Sequence, residues 1–114
     1  MIAQLIENMD RWGIARNITY QGGANTTSQA SKAMEEFAEL IVACAEYELL
    51  AVEDGPDFLD EERVQIADAI GDIVVCLVQV ARLADVTFED CLEQAWAEIK
   101  DRKGTMVNGK FVKE

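Results

Sequence analysis

The sequence predicts an all-α protein, built like a four-helix bundle and closed by a short C-terminal β-hairpin. Three observations carry that expectation. Four segments repeat apolar residues at three- and four-residue spacing. Ala, Leu, Glu and Asp are abundant, with a single proline and seven glycines, a composition that suits helices better than sheets. Near the C-terminus, Asn108-Gly109 stands between Met106-Val107 and Phe111-Val112. Asn-Gly between two short apolar stretches is a strong hairpin signal. With 114 residues, half of them hydrophobic, the chain reads as one domain, 1–114, with a core of its own.

Each element has a local reason. Ile2, Leu5, Ile6, Met9 and Trp12 give an amphipathic first helix over 2–16. The segment TYQGGANTTS, 19–28, reads as a loop that ends in a helix cap at Ser28. A long second helix is expected over 29–52, broken by EDGPDF at 53–58. Asp60, Glu61 and Glu62 open a third helix, where carboxylates suit the positive end of the dipole, and it continues to Ala84. Thr87 caps a fourth helix, with Asp90 in the capping-box position, and the helix runs to Lys103. A lone hairpin is marginal, so the terminal one is expected to pack on the body or on a neighbouring subunit.

Composition narrows the function. A net charge of -12 argues against a polynucleotide partner, which would require a basic surface. The chain has no histidine and no Cys-x-x-Cys, which argues against zinc centres and histidine catalysis. Cys44, Cys76 and Cys91 sit in apolar helical text and read as buried small hydrophobes of a reduced compartment. The longest uninterrupted apolar runs, 40–45 and 73–78, are too short for a bilayer. The N-terminal MIAQLIENMDRWGI lacks the basic-then-apolar order of a secretory signal. The expectation is a cytoplasmic protein with no membrane partner.

The informative stretch is KAMEEFAEL, 32–40. At about 100° per residue, with Glu35 as origin, Glu39 falls near 40°, Lys32 near 60° and Glu36 near 100°. Phe37, Ala38, Ile41 and Ala45 take the far side. On the third helix, Asp72 and Gln79 fall within about 40° of Asp68, and Ile66, Ala67, Ile70, Ile73, Val74, Leu77, Val78 and Val80 fill the remaining circumference. A helix apolar on nearly all sides packs inside a bundle or between subunits, so both aspartates are expected to be at least partly buried.

Buried carboxylates need a counter-charge, and one Lys32 cannot neutralise five acids. Carboxylates without His or Cys are hard oxygen ligands, suited to Mg²⁺ or Mn²⁺. The expectation is that Glu35, Glu36 and Glu39 face Asp68 and Asp72 with Mg²⁺ between them. Such an ion would screen a substrate phosphate from the acids and activate a water, with a spare carboxylate as general base. That chemistry is phosphoanhydride hydrolysis. Lys100, Arg102 and Lys103, with Lys110, form the one basic cluster and are candidates to clamp phosphates. Trp12, Arg16 and Asn17 offer a stacking ring, a cation and an amide for a base.

These motifs resemble the MazG-like, all-α nucleoside triphosphate pyrophosphatases, a family that includes the dimeric dUTPases and the dCTP pyrophosphatases. The resemblance covers nearly the whole chain. A Glu-Glu-x-x-Glu helix is matched by Glu35, Glu36 and Glu39, and a following Glu-x-x-Asp-type helix by DAIGDIVVCL with Asp68 and Asp72. RWGIARNI, QASK and AEIKDRKG are similar to short, phage-type members. The resemblance implies Mg²⁺-dependent hydrolysis of a nucleoside triphosphate to the monophosphate and pyrophosphate, by a homodimer or homotetramer. It implies Glu36, Glu39 and Asp72 as metal ligands, Asp68 as a further acid at the metal, and Glu35 as ligand or water-activating base. Gln29 and Lys32 of QASK join the substrate-binding set. Two departures stand out: Ala69 where a strict motif has Glu, and Ala97 where relatives carry Asn one turn before the basic Lys. They favour a second expectation, a catalytically weakened helical oligomer that binds nucleotides or partners.

Overall fold

A computed structural model of the chain describes residues 1–55, 57 and 59–114. It is mostly helical: α1 (Ile2–Ala15), α2 (Thr26–Asp54), α3 (Asp60–Leu83) and α4 (Phe88–Ile99) precede the strands β1 (Gly104–Val107) and β2 (Lys110–Lys113). The strands pair antiparallel, with Met106 opposite Phe111. Asn108 (φ 51) and Gly109 (φ 79) both take the left-handed conformation that a two-residue hairpin turn demands. The expected break at EDGPDF falls where α2 ends, at Asp54; its Pro56 and Phe58 lie outside the described residues.

The caps differ in one place from expectation. Asn25, not Ser28, caps α2. Its Oδ1 accepts from the Ser28 backbone N–H at 2.7 Å, and the Asn25 N–H donates to Ser28 Oγ at 2.9 Å. This is a reciprocal capping box with serine in the third position. Thr87 caps α4 as expected and accepts from the Asp90 N–H at 3.0 Å. α4 stops at Ile99, short of Lys103.

The residues 55–59 connect α2 to α3, so the two long helices run antiparallel and pack along their length. The side of α2 against α3 carries buried Ala33 and Ala43 with half-buried Glu36, Leu40, Cys44, Tyr47 and Leu50. Opposite them α3 buries Ala69, Ile73 and Cys76. Phe37 (46% exposed) and Ile41 (66%) face away from this seam. α2 is therefore apolar on two sides and α3 covers one of them. Of the cysteines, Cys76 is buried as expected, Cys44 is half-buried and Cys91 is exposed.

α1 packs on the C-terminal half of α3 through polar staples. Gln79, 1% exposed, donates from Nε2 to the Met9 carbonyl oxygen at 2.9 Å. Arg82 donates to the Gln79 side chain, to Asp10 Oδ1 at 3.0 Å, and to the Ile18 carbonyl oxygen. Tyr20 Oη donates to the Leu83 carbonyl oxygen at 2.9 Å. Each buried polar group in this seam has a partner, which is what permits burial.

As a whole, α3 is long and apolar enough to cross a membrane, which its short uninterrupted apolar runs do not reveal. Asp68 and Asp72 stand in its middle third, where a bilayer penalises carboxylates heavily.

Candidate functional site

The α1 staples and the α2–α3 seam together enclose a cavity of 580 Å³. Leu5, Met9, Trp12 and Ile18 form one wall, Gln29, Lys32 and Glu36 a second, and Asp72, Val75, Cys76 and Gln79 a third. A mostly apolar lining with a few convergent polar groups, at this size, is the usual form of a small-molecule site.

Glu36 and Asp72 are the carboxylates of this cavity. The Glu36 side chain is only 14% exposed. Asp72 is half-buried, and its pKa is pushed above the ordinary 3.8, first by burial and then by the charges of Asp68 and Glu36. Lys32 opposes that shift. Its ammonium lies 3.0 Å from Glu35 and 3.6 Å from Glu36, and both carboxylates, Glu35 first, raise its pKa. Lys32 is thus the counter-charge at this edge. Glu35 itself is well exposed, with 68% of its side chain open.

Glu39 and Asp68 line a different cavity, with Glu46, Gln65 and Ala69. Antiparallel register accounts for the split. One turn forward along α2 matches one turn back along α3. Glu36 therefore shares a layer with Asp72, and Glu39 shares the next layer with Asp68. The five acids form two layers instead of one cluster. Among the described residues, no three Asp, Glu, Cys or His side chains converge closely enough to hold a metal ion. The four ligands expected from sequence, Glu36, Glu39, Asp68 and Asp72, are not gathered into one cage. The pair Glu36 and Asp72 does fit a hard divalent cation, because Mg²⁺ commonly takes one or two carboxylates and keeps its other positions for water and phosphate.

The remaining expected residues divide in the same way. Trp12, Gln29 and Lys32 line the cavity. Arg16 lies just outside it, stacked on the Trp12 ring at 4.4 Å from the ring centroid, a cation–π contact that orients the indole. Asn17 does not line the cavity; it adopts φ 64 and its Oδ1 accepts from Thr19 at 3.0 Å, so it shapes the loop. Lys100, Arg102 and Lys103 are exposed and line neither acidic cavity. Gln79, Cys76 and Asn8 are cavity residues to which sequence reading gave no role. The available signal was Gln79, an amide on the same strip as Asp68 and Asp72 in an otherwise apolar helix.

Comparison with family models, with curated proteins and with solved structures gave no match. The functional reading therefore stands on this geometry and on the motifs themselves.

Proposed function

We propose that the chain is a Mg²⁺-dependent nucleoside triphosphate pyrophosphohydrolase of the MazG-like, all-α kind, converting a nucleoside triphosphate to the monophosphate and pyrophosphate. One observation carries the reading: carboxylates from two helices, Glu36 and Asp72, share an apolar cavity with Trp12 and Lys32. Stability alone gives no reason to place two mutually repelling acids there.

Each residue then has a task. Trp12, held by Arg16, with Leu5, Met9 and Ile18, offers a stacking and apolar surface for the base. Gln29 and Asn8 present amides to its polar edge. Glu36 and Asp72 hold Mg²⁺, which when bound polarises the phosphoryl group and makes water a better nucleophile. Lys32 turns from Glu35 and Glu36 toward the phosphates once the ion neutralises the acids. Glu35 then accepts the proton of the attacking water on its carboxylate.

The test is pyrophosphate release from a panel of ribo- and deoxynucleoside triphosphates with Mg²⁺ or Mn²⁺. Release that stops on chelation is expected. A chain that binds a triphosphate without releasing pyrophosphate would replace this reading with the second one, a nucleotide-binding module. That alternative is favoured by the two-layered acids and by Ala69, buried at 5% exposure where a further carboxylate would stand.

A further inference from the structure

We infer that the chain works as a symmetric pair in which the C-terminal arm of each copy, residues 88–114, lies on the α2–α3 body of the other and carries its basic end to that body's acidic face.

The arm has almost no cover in its own chain. Every residue from Glu89 to Lys103, and from Thr105 to Glu114, is exposed. Leu92, Trp96 and Ile99 repeat at helical spacing, and Trp96 is 62% exposed. A three-turn helix and a two-stranded hairpin are each marginal in water without a packed face. The body shows the matching deficit: Met34, Phe37 and Ile41 on α2 and Ile70 and Leu77 on α3 stand open.

The areas fit a second copy. The chain exposes 8484 Å², whereas a compact monomer of its mass exposes about 6,200 Å². The excess, about 2,200 Å² on each chain, is the size that an obligate dimer interface removes. The radius of gyration, 17.0 Å, likewise exceeds the roughly 13 Å of a compact domain this long. A reciprocal exchange of arms closes under two-fold symmetry and leaves neither face bare.

Charge fixes the direction of the exchange. Residues 1–99 carry five Lys and Arg against twenty Asp and Glu, while 100–114 carry five against two. The body is strongly acidic and the arm's end is basic. Among the described residues, Lys100, Arg102, Lys103, Lys110 and Lys113 make no ion pair within the chain. Met34, Phe37 and Ile41 are interleaved with Glu35 and Glu39. An arm whose Leu92–Trp96–Ile99 stripe seats there brings Lys100 to Lys110 to those acids. A phosphate contact by these cations in trans would rest on the hydrolase reading; the docking does not.

The experiment needs no activity. Equal amounts of ¹⁴N- and ¹⁵N-labelled full-length chain are mixed, allowed to exchange, and treated with a carbodiimide that joins amines to carboxylates in direct contact. The expected result is a species of at least twice 12.7 kDa by sedimentation, with mixed-isotope peptides joining arm lysines to α2 or α3 carboxylates. Trp96→Asp, at a position exposed in the single chain, is expected to give a helical monomer without those peptides. A monomeric wild type, whether free or bound to lipid vesicles, would overturn the proposal. So would single-isotope peptides only, no arm-to-body peptides at all, or a Trp96→Asp chain that stays paired. If the docking is found but no triphosphate is hydrolysed, the hydrolase reading fails alone.

Discussion

Glu36 of α2 and Asp72 of α3 line one cavity from opposite sides, and the charge of Glu36 helps to push the Asp72 pKa up. The pair is a local conflict in an otherwise apolar seam, and such conflicts mark places where function overrides stability. Asp72→Asn keeps the shape and removes the conflict. Its pyrophosphate release should fall by about 10²-fold or more, while its melting temperature holds or rises by roughly a few degrees. Steady-state assay and calorimetry on one preparation check both. A large drop in melting temperature with normal turnover would make the pair structural.

The pH dependence of that difference has a definite sign. Asp72 titrates above 3.8 when folded, so the folded chain holds this proton more tightly than the unfolded one. Its favourable contribution is complete below 3.8 and is lost as pH rises through the folded value. The stability advantage of Asp72→Asn over wild type should therefore be near zero at the acid end and grow toward neutral pH. Paired melts from pH 7 down to pH 4 measure it. A difference that shrinks with rising pH would contradict the assigned environment.

The three thiols should react in order of exposure. Burial, then the Glu36 charge, push the Cys76 pKa above 9.0, and its sulfur lies in the cavity. Cys91 is exposed and Cys44 half-buried. Thiolate is the reacting form, so an aromatic disulfide reagent at pH 8 should modify Cys91 first and Cys76 last, about tenfold or more slower. Occupation of the cavity by a nucleotide should slow Cys76 further and leave Cys91 unchanged. Peptide mapping at several times separates the sites.

What the sequence made legible was local. Spacing of apolar residues, Thr87 as cap and Asn108-Gly109 as turn depend on near neighbours, and the elements they mark are present. Asn25 and Ser28 lie in one polar run, and either could serve as cap until the extended backbone of Asn25 decided it. The site was half legible. Helical spacing puts Glu35, Glu36 and Glu39 on one strip, but whether they meet Asp68 and Asp72 at one level depends on antiparallel register, which no single helix encodes. Periodicity also identifies the apolar faces of α2 without saying what covers each. That is why Phe37 and Ile41, expected on the packed side, are open.

The wall formed by α1 offers the sharpest stability test. A Cβ at Gly13 would stand 1.8 Å from Gln79 Oε1 and 2.4 Å from its Cδ. The end of a free glutamine would swing aside at little cost. This one is 1% exposed and tied to Met9 and Arg82, so moving it breaks buried hydrogen bonds or shifts α1. Gly13→Ala should destabilise by about 1–3 kcal/mol, or roughly 4–8 °C in melting temperature per kcal/mol, despite the better helix propensity of alanine. Because Trp12 and Met9 move with α1, the same change should raise KM for the triphosphate more than it lowers kcat. Gln79→Ala alone should also destabilise, since it leaves the Met9 carbonyl and Arg82 without their partner. The double variant should be more stable than the two single losses would sum to, because alanine at 79 opens the space that the Gly13→Ala methyl needs. Additive losses across that cycle would mean that Gly13 and Gln79 are not in contact, and that some other seam positions the cavity wall.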